Sequence, residues 1–567
     1  MPGSIYRPVA LGLAVAMLIA APVLAVPKVV TLGGGDTGAS DPIIACGSLA
    51  ASPYEAGWEG KGVAEDDQVF LDGAQTACEA ALAAAPDSAE ARAWLGRVYI
   101  LVGRAADAAP LLDGAASAGS LFAAYLLSGI LDNVVLDGVE DDSDRAVDLL
   151  KQASDGGFLP AETALAKRYE LGDGVDADAQ EALRLYSAAS DGGDGFATYK
   201  LGTFHQGGFG VDVDYGLAMT LFQQAADAGE PLGWDGIGQL YQFGQGVEMD
   251  YAKAAEAYQR GADQGEMMSE TALAYLYEQG LGVTQDPSKS FALLSDAASQ
   301  NYGMAQAALS IHYLFGEGTP VDANKALALA WAAQTKSVNY AEGILGFMYA
   351  EGLGTDRDLS SALFHFQAGS QGGDEYSTSR IPVTETEIAC EDAAGSQYEP
   401  GGVGHGLDFD AIDAETAIAA CQAALEVNAT SVGDKVWLAR AYVKAGQVAD
   451  AVPLLEEGVG AGNVLAQTLY ADLLVAGNGV DADSVRALEL YQSAADKNFA
   501  PAQFTLGDIY AAGSIVPADP KAALEWYRKA LDFGIDAAAD EIARLEAGPV
   551  DSQSIDLSGF GREGPGY

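Results

Sequence analysis

At 567 residues the chain is too long for a single hydrophobic core. Its 81 acidic and 29 basic residues give a formal net charge of −52, which argues against nucleic acid and anionic membrane surfaces as partners. That charge favours a basic protein partner, or else serves solubility in a salty environment. Hydrophobic residues make up 49% and are dominated by alanine, with 69 glycines against 20 prolines, a composition that predicts close-packed short helices rather than disorder.

The amino terminus carries Arg7, an apolar run from Val9 to about Ala21, and Val23-Leu24-Ala25. This pattern predicts a signal peptide over residues 1–25, cleaved after Ala25, and hence no membrane insertion once it is removed. An uncleaved anchor is the weaker reading, because the apolar run falls short of the roughly 20 residues that span a bilayer. Four cysteines follow, Cys46, Cys78, Cys390 and Cys421, an even number in a chain read as exported.

The cysteines come in two pairs that head two copies of one module, expected over 41–119 and 390–462. Tyr54 and Tyr398 lie at equal offsets from the first cysteine, and Ala77-Cys78 matches Ala420-Cys421. Trp94-Leu95-Gly96-Arg97-Val98-Tyr99 matches Trp437-Leu438-Ala439-Arg440-Ala441-Tyr442. The second cysteine is read as opening an alanine-rich helix (77–85 and 419–427), and the first as part of an extended lead. Disulfides Cys46–Cys78 and Cys390–Cys421 would pin lead to helix, each contributing roughly 3 to 4 kcal/mol by loop closure. A metal site would need Cys or His ligands clustered at short spacing. The helices that follow resemble a tetratricopeptide hairpin.

From about 120 to 373 a 36-residue period takes over, marked by Gly172/Gly174, Gly208/Gly210, Gly244/Gly246, Gly280/Gly282, Gly316/Gly318 and Gly352/Gly354. About seven repeats are expected here, and two more over 463–535. In the unit around Gly172, helices are expected over 161–171, with Ala164, Leu165 and Tyr169 on one face, and over 179–190, with Ala182, Leu183, Tyr186 and Ala189. Asp142, Asp178, Asp214, Asp250, Asp286, Asp322 and Asp358 recur every 36 residues just before the second helix, and Asp483 and Asp519 do the same in the later pair. Each is expected to be an N-cap. A calcium array would need ligands at alternating neighbouring positions, which these segments lack.

The pattern Ala-x-x-x-Leu-x-x-x-Tyr-x-x-Gly-x-Gly-Val-x-x-Asp-x-x-x-Ala-x-x-x-Tyr, nearly whole in 161–193 and 466–491, resembles the Sel-one-like repeat (SLR) family. The resemblance implies an all-α, TPR-like solenoid of stacked helical hairpins, here as two arms with disulfide-pinned leads. It also implies an adaptor role in protein complexes rather than one catalytic activity. Departures are few: the early unit at Leu136 and Gly138 keeps only its second turn glycine, Thr319 and Thr355 replace the turn valine, and Ile515 replaces a glycine. His205 interrupts the column Tyr169, Tyr241, Tyr277, Tyr313, Tyr349 and is read as a packing variant. Residues 374–389, polar and without helical period, are expected to be a linker, and 548–567 a disordered tail.

No catalytic, cofactor-binding or metal-ligating set emerges. The four histidines (His205, His312, His365, His405) are far apart in sequence, and the Gly-x-Gly turns lack the lysine of a phosphate loop and follow helices. The expected function is an exported protein-interaction scaffold without catalysis, in the periplasm of a Gram-negative bacterium or secreted, and without a cofactor. The alternatives are a cell-wall-associated enzyme or binder acting on beta-lactams or peptidoglycan fragments, for which some relatives carry a cysteine pair in every repeat, and a rigid spacer.

Overall fold

The computed structural model describes residues 41–52, 54–55, 71–132, 142–399 and 406–547. The expected signal peptide, the turn at Leu136 and Gly138, His405 and the expected tail over 548–567 lie outside the described residues. Among the described residues the chain forms 27 α-helices and no strand. It divides into two compact units whose boundary lies between Gln300 and Asn301.

In the unit ending at Gln300, successive helices pair as hairpins, and the repeat around Gly172 shows why. Its first helix, Leu159–Leu171, buries Ala161, Leu165 and Ala166, and its second, Ala179–Asp191, buries Ala182, Leu185, Tyr186 and Ala189. Small residues face large ones, so the two axes approach closely. Gly172 ends the first helix in the left-handed region at φ 71°, where glycine escapes the Cβ penalty, and its amide donates to the Arg168 carbonyl. The amide of Asp178 then donates to the carbonyl of Tyr169 (2.8 Å), closing the loop. This closure recurs from Asp214 to His205, Asp250 to Tyr241 and Asp286 to Tyr277 (2.8 to 2.9 Å). The column residue therefore contributes its backbone to the joint, which is why histidine can stand for tyrosine.

The unit beginning at Asn301 repeats the design, with the same closure from Asp322 to Tyr313, Asp358 to Tyr349 and Asp519 to Tyr510. Its last described helix is Ala537–Glu546, whose Ala538, Ile542 and Leu545 cover the apolar flank of the hairpin around Phe504 and Tyr527.

Three expectations about the cysteine modules are corrected. Residues 374–389 are no linker: the helix Glu375–Ala394 runs through them. Its buried residues are Ser377, Thr384, Glu387, Cys390 and Ala394, spaced three, four or seven apart, with Tyr376, Ile381 and Ile388 partly buried beside them, so the helical face exists but is mostly polar at its centre and gives only a weak hydrophobic period. The leads are helical rather than extended, since Cys46 lies in Pro42–Ala50, whose N-cap Asp41 accepts from the Ile43 amide, and Cys390 lies in the long helix just described. Cys78 and Cys421 sit inside Leu71–Ala84 and Ala414–Val427 instead of opening them.

Candidate functional site

Both disulfides, Cys46–Cys78 and Cys390–Cys421, are formed, with Cα atoms 4.6 and 4.5 Å apart and all four cysteines buried. Around each lies the same polar network. Trp94 Nε1 and the Ser52 amide both donate to Glu55 Oε2 (3.0 and 2.7 Å), while Trp437 Nε1 and the Ser396 amide donate to Glu399 Oε2 (2.8 and 3.1 Å). Arg97 Nη1 donates to the Ala50 and Ala51 carbonyls (3.1 Å each), and Arg440 Nη1 to those of Ala394 and Gly395 (3.0 and 2.5 Å). These carbonyls are the unsatisfied C-terminal groups of the lead helices, so each buried guanidinium caps a helix end. Burial pushes the carboxyls of Glu55 and Glu399 up and the Arg440 guanidinium down to about 10. Sequence reasoning quoted Arg97 and Arg440 only as part of a match and missed Ser52, Glu55, Ser396 and Glu399, although Ser-x-Tyr-Glu recurs in both copies.

The aspartate column starts the second helices. The side chains of Asp142, Asp214, Asp322, Asp358 and Asp483 accept from the amide three residues on, and those of Asp178, Asp250, Asp286 and Asp519 from the amides two and three residues on. A partner invisible to the column analysis stands three residues after the cap: Lys253, Lys289 and Lys325 place Nζ 5.1, 4.9 and 5.2 Å over the rings of Tyr241, Tyr277 and Tyr313. The signal was the Asp-x-x-Lys spacing.

Further acids are buried in both units. In the first unit Asp235 is fully buried, its Oδ2 accepting from Gln239 Nε2 (2.7 Å), and burial, then the nearby Glu266, pushes its carboxyl well up. In the second unit Asp434 is fully buried, with neither carboxylate oxygen hydrogen-bonded, and is pushed up to about 7 by burial and by Glu387. Arg357, in the turn of the preceding repeat, offsets part of this, and its guanidinium lies 4.8 Å over Trp437. From the expected linker region, Glu387 thus takes part in a joint between repeat and cysteine module. The histidines are dispersed as well: His312 Nδ1 meets the Glu317 carbonyl (2.6 Å), His365 Nδ1 meets Glu342 Oε2 (2.7 Å), and His205 is half-buried in its helix. Among the described residues no group of three His, Cys, Asp or Glu side chains is placed to hold a metal ion, and no helix is long and apolar enough to cross a membrane.

A family model for the Sel1 repeat matches nine segments: 122–158, 159–194, 195–230, 235–266, 268–302, 303–334, 340–374, 464–499 and 500–532. The chain belongs to the Sel1 repeat family. Its matched segments begin at or near the first helices and take in the glycine turn and the capped second helix, while the two cysteine modules fall outside them. Among solved structures, the chain is similar to a protective antigen of uropathogenic Escherichia coli with an SLR fold (25% identity, 78% of this chain and 91% of that one, TM-score 0.41). It is also similar to a Sel1 repeat protein from Oxalobacter formigenes (24%, 43% and 96%, TM-score 0.39). A third is an immunity protein from Pseudomonas aeruginosa (20%, 39% and 83%, TM-score 0.30). A comparison with curated proteins returns no match. Sel1 repeat proteins are in general protein-interaction scaffolds and typically not catalysts, so the family points to protein partners.

Proposed function

We propose that this Sel1 repeat protein is an exported scaffold that binds a protein or peptide along the groove lined by the first helices of its repeats, without catalysing a reaction. The observation that carries the reading is the repetition itself. Among the described residues eight of the nine matched segments share one joint, so the residues that repeat hold hairpins together and the residues that do not repeat are free to present a surface. Such a groove suits extended or helical ligands because each unit adds a similar strip. The two buried disulfides support an oxidising compartment, and with the amino-terminal pattern they favour the periplasm of a Gram-negative bacterium. A net charge of −52 favours a basic partner. The helix caps at Asp142, Asp178, Asp214, Asp250, Asp286, Asp322, Asp358, Asp483 and Asp519 and the four cysteines serve architecture in this reading.

The test joins binding to turnover. Purified chain is expected to bind its partner saturably, with association slowing sharply as salt rises, and to leave peptidoglycan fragments and a beta-lactam unchanged. Turnover of either would replace the scaffold with a cell-wall enzyme. Salt-independent association would remove the electrostatic part of the reading.

A further inference from the structure

The unit ending at Gln300 carries a strip on its glycine-turn edge that the groove reading does not use. Three successive turns, 172–178, 208–214 and 244–250, rest on one another's repeats. A Cβ on Gly210 would lie 2.9 Å from the Ala179 Cβ, Gln180 Nε2 donates to the Gly210 carbonyl, and Gly246 abuts Tyr215 in the same manner. The second helix of each hairpin packs against the first helix of the next, so neighbouring turns are spaced by about 10 Å, one helix diameter.

Along this edge stand Leu171, Phe209, Val213, Leu217, Phe243 and Met249, each 40–56% exposed. They are six of the ten large apolar side chains exposed among the described residues of this unit, so the exposure is concentrated on one edge. Contiguous exposed apolar surface marks interaction sites. The same turns hold no lysine or arginine. Two residues before each cap stand Asp176, Asp212 and Glu248, exposed and in no ion pair among the described residues, whereas the caps Asp178, Asp214 and Asp250 are engaged by backbone amides. The next turn has Thr284 and Gln285 at the corresponding places, so the strip ends after three turns.

We propose that this edge docks a cationic amphipathic helix of a partner protein, whose apolar face lies on the Leu171 to Met249 ridge and whose lysines or arginines meet Asp176, Asp212 and Glu248. A helix of about 14 residues rises about 21 Å and spans the three turns. Carboxylates between the apolar side chains oppose an anionic bilayer and suit a basic segment. The inference rests on the scaffold reading and adds the partner's chemistry and a second docking surface.

The test uses the full chain and a fluorescent peptide with leucines at three-and-four spacing and lysines between them. Wild-type protein is expected to bind it about tenfold more tightly than a peptide of equal composition with scrambled spacing, about the effect of misplacing one anchoring side chain. The variant Val213→Ser/Phe243→Ser/Met249→Ser is expected to lose that preference. The variant Asp176→Asn/Asp212→Asn/Glu248→Gln is expected to flatten the salt dependence, and Val485→Ser/Phe533→Ser, outside the strip, to bind as wild type. Unchanged binding by the first two variants overturns the proposal, as does sedimentation with lipid vesicles or self-association that the serine variant abolishes. Cross-linking of the native partner separates the two readings: capture by wild type and strip variants alike leaves the scaffold and removes the strip, and capture by neither removes the scaffold.

Discussion

Replacing Gly282 by alanine isolates the energy of the joint between stacked repeats. Gly282 is the second glycine of its turn, at φ +68°, and a Cβ built there overlaps the Tyr251 carbonyl group and the Ala252 amide nitrogen, at the start of the preceding repeat's second helix. The obstacle is backbone, so no rotamer change relieves it. A left-handed conformation costs alanine about 1–2 kcal/mol, and forced overpacking adds about 1–3 kcal/mol, giving about 2–5 kcal/mol together. Gly265 is the control: it sits at φ +78° with no heavy atom within 4 Å of an added Cβ, so Gly265→Ala bears only the conformational part, about 1–2 kcal/mol. Urea unfolding followed by circular dichroism would compare the two, and hydrogen exchange over 251–286 would localise the loss. Equal destabilisation by both substitutions would refute the claim that the second turn glycine exists for inter-repeat contact.

Other expectations follow from the same geometry. Asp286→Ala removes a carboxylate that accepts from the Ser288 and Lys289 amides and should cost about 1 kcal/mol in melting experiments, Asp286→Asn much less. Asp434 is held at about 7 against an ordinary 3.8, so the folded state keeps a proton that the unfolded chain has lost. The stabilisation is therefore fully present below about pH 4 and vanishes as pH rises through about 7. Ionised Asp434 opposes folding by up to about 4 kcal/mol, and since Asp472 is also held at about 7 by burial, the melting temperature should fall from pH 5 to pH 8. Asp434→Asn should flatten part of that slope, and an unaltered slope would exclude Asp434 as a source. Reduction of both disulfides should cost roughly 3 to 4 kcal/mol each, read as a lower urea midpoint without loss of helical signal from the repeats.

The joint was legible in the sequence because each of its positions tolerates few residue types. A left-handed turn selects glycine and a helix start selects aspartate, so period and role could be read together. The helix Glu375–Ala394 was not legible, because its buried stripe of Ser377, Thr384, Glu387, Cys390 and Ala394 carries almost no hydrophobic signal. The networks around Glu55 and Glu399 escaped for a related reason: charged residues read as surface, and it is the tryptophan, the serine amide and the helix-end carbonyls around them that make burial tolerable. The proposed docking strip lies in residues that do not repeat, such as Phe209 and Met249, where no periodic comparison could single them out.

The central claim is that the non-repeating surface of the repeats binds a protein. Photo-activatable cross-linkers placed singly at exposed positions of the first helices, on the turn edge and on the second helices would test it in the native compartment. The account predicts that positions on the groove or the turn edge yield one recurrent, basic protein adduct, and that second-helix positions away from the turn edge do not. Absence of protein adducts from every position, together with turnover of a cell-wall fragment by the purified chain, would contradict it.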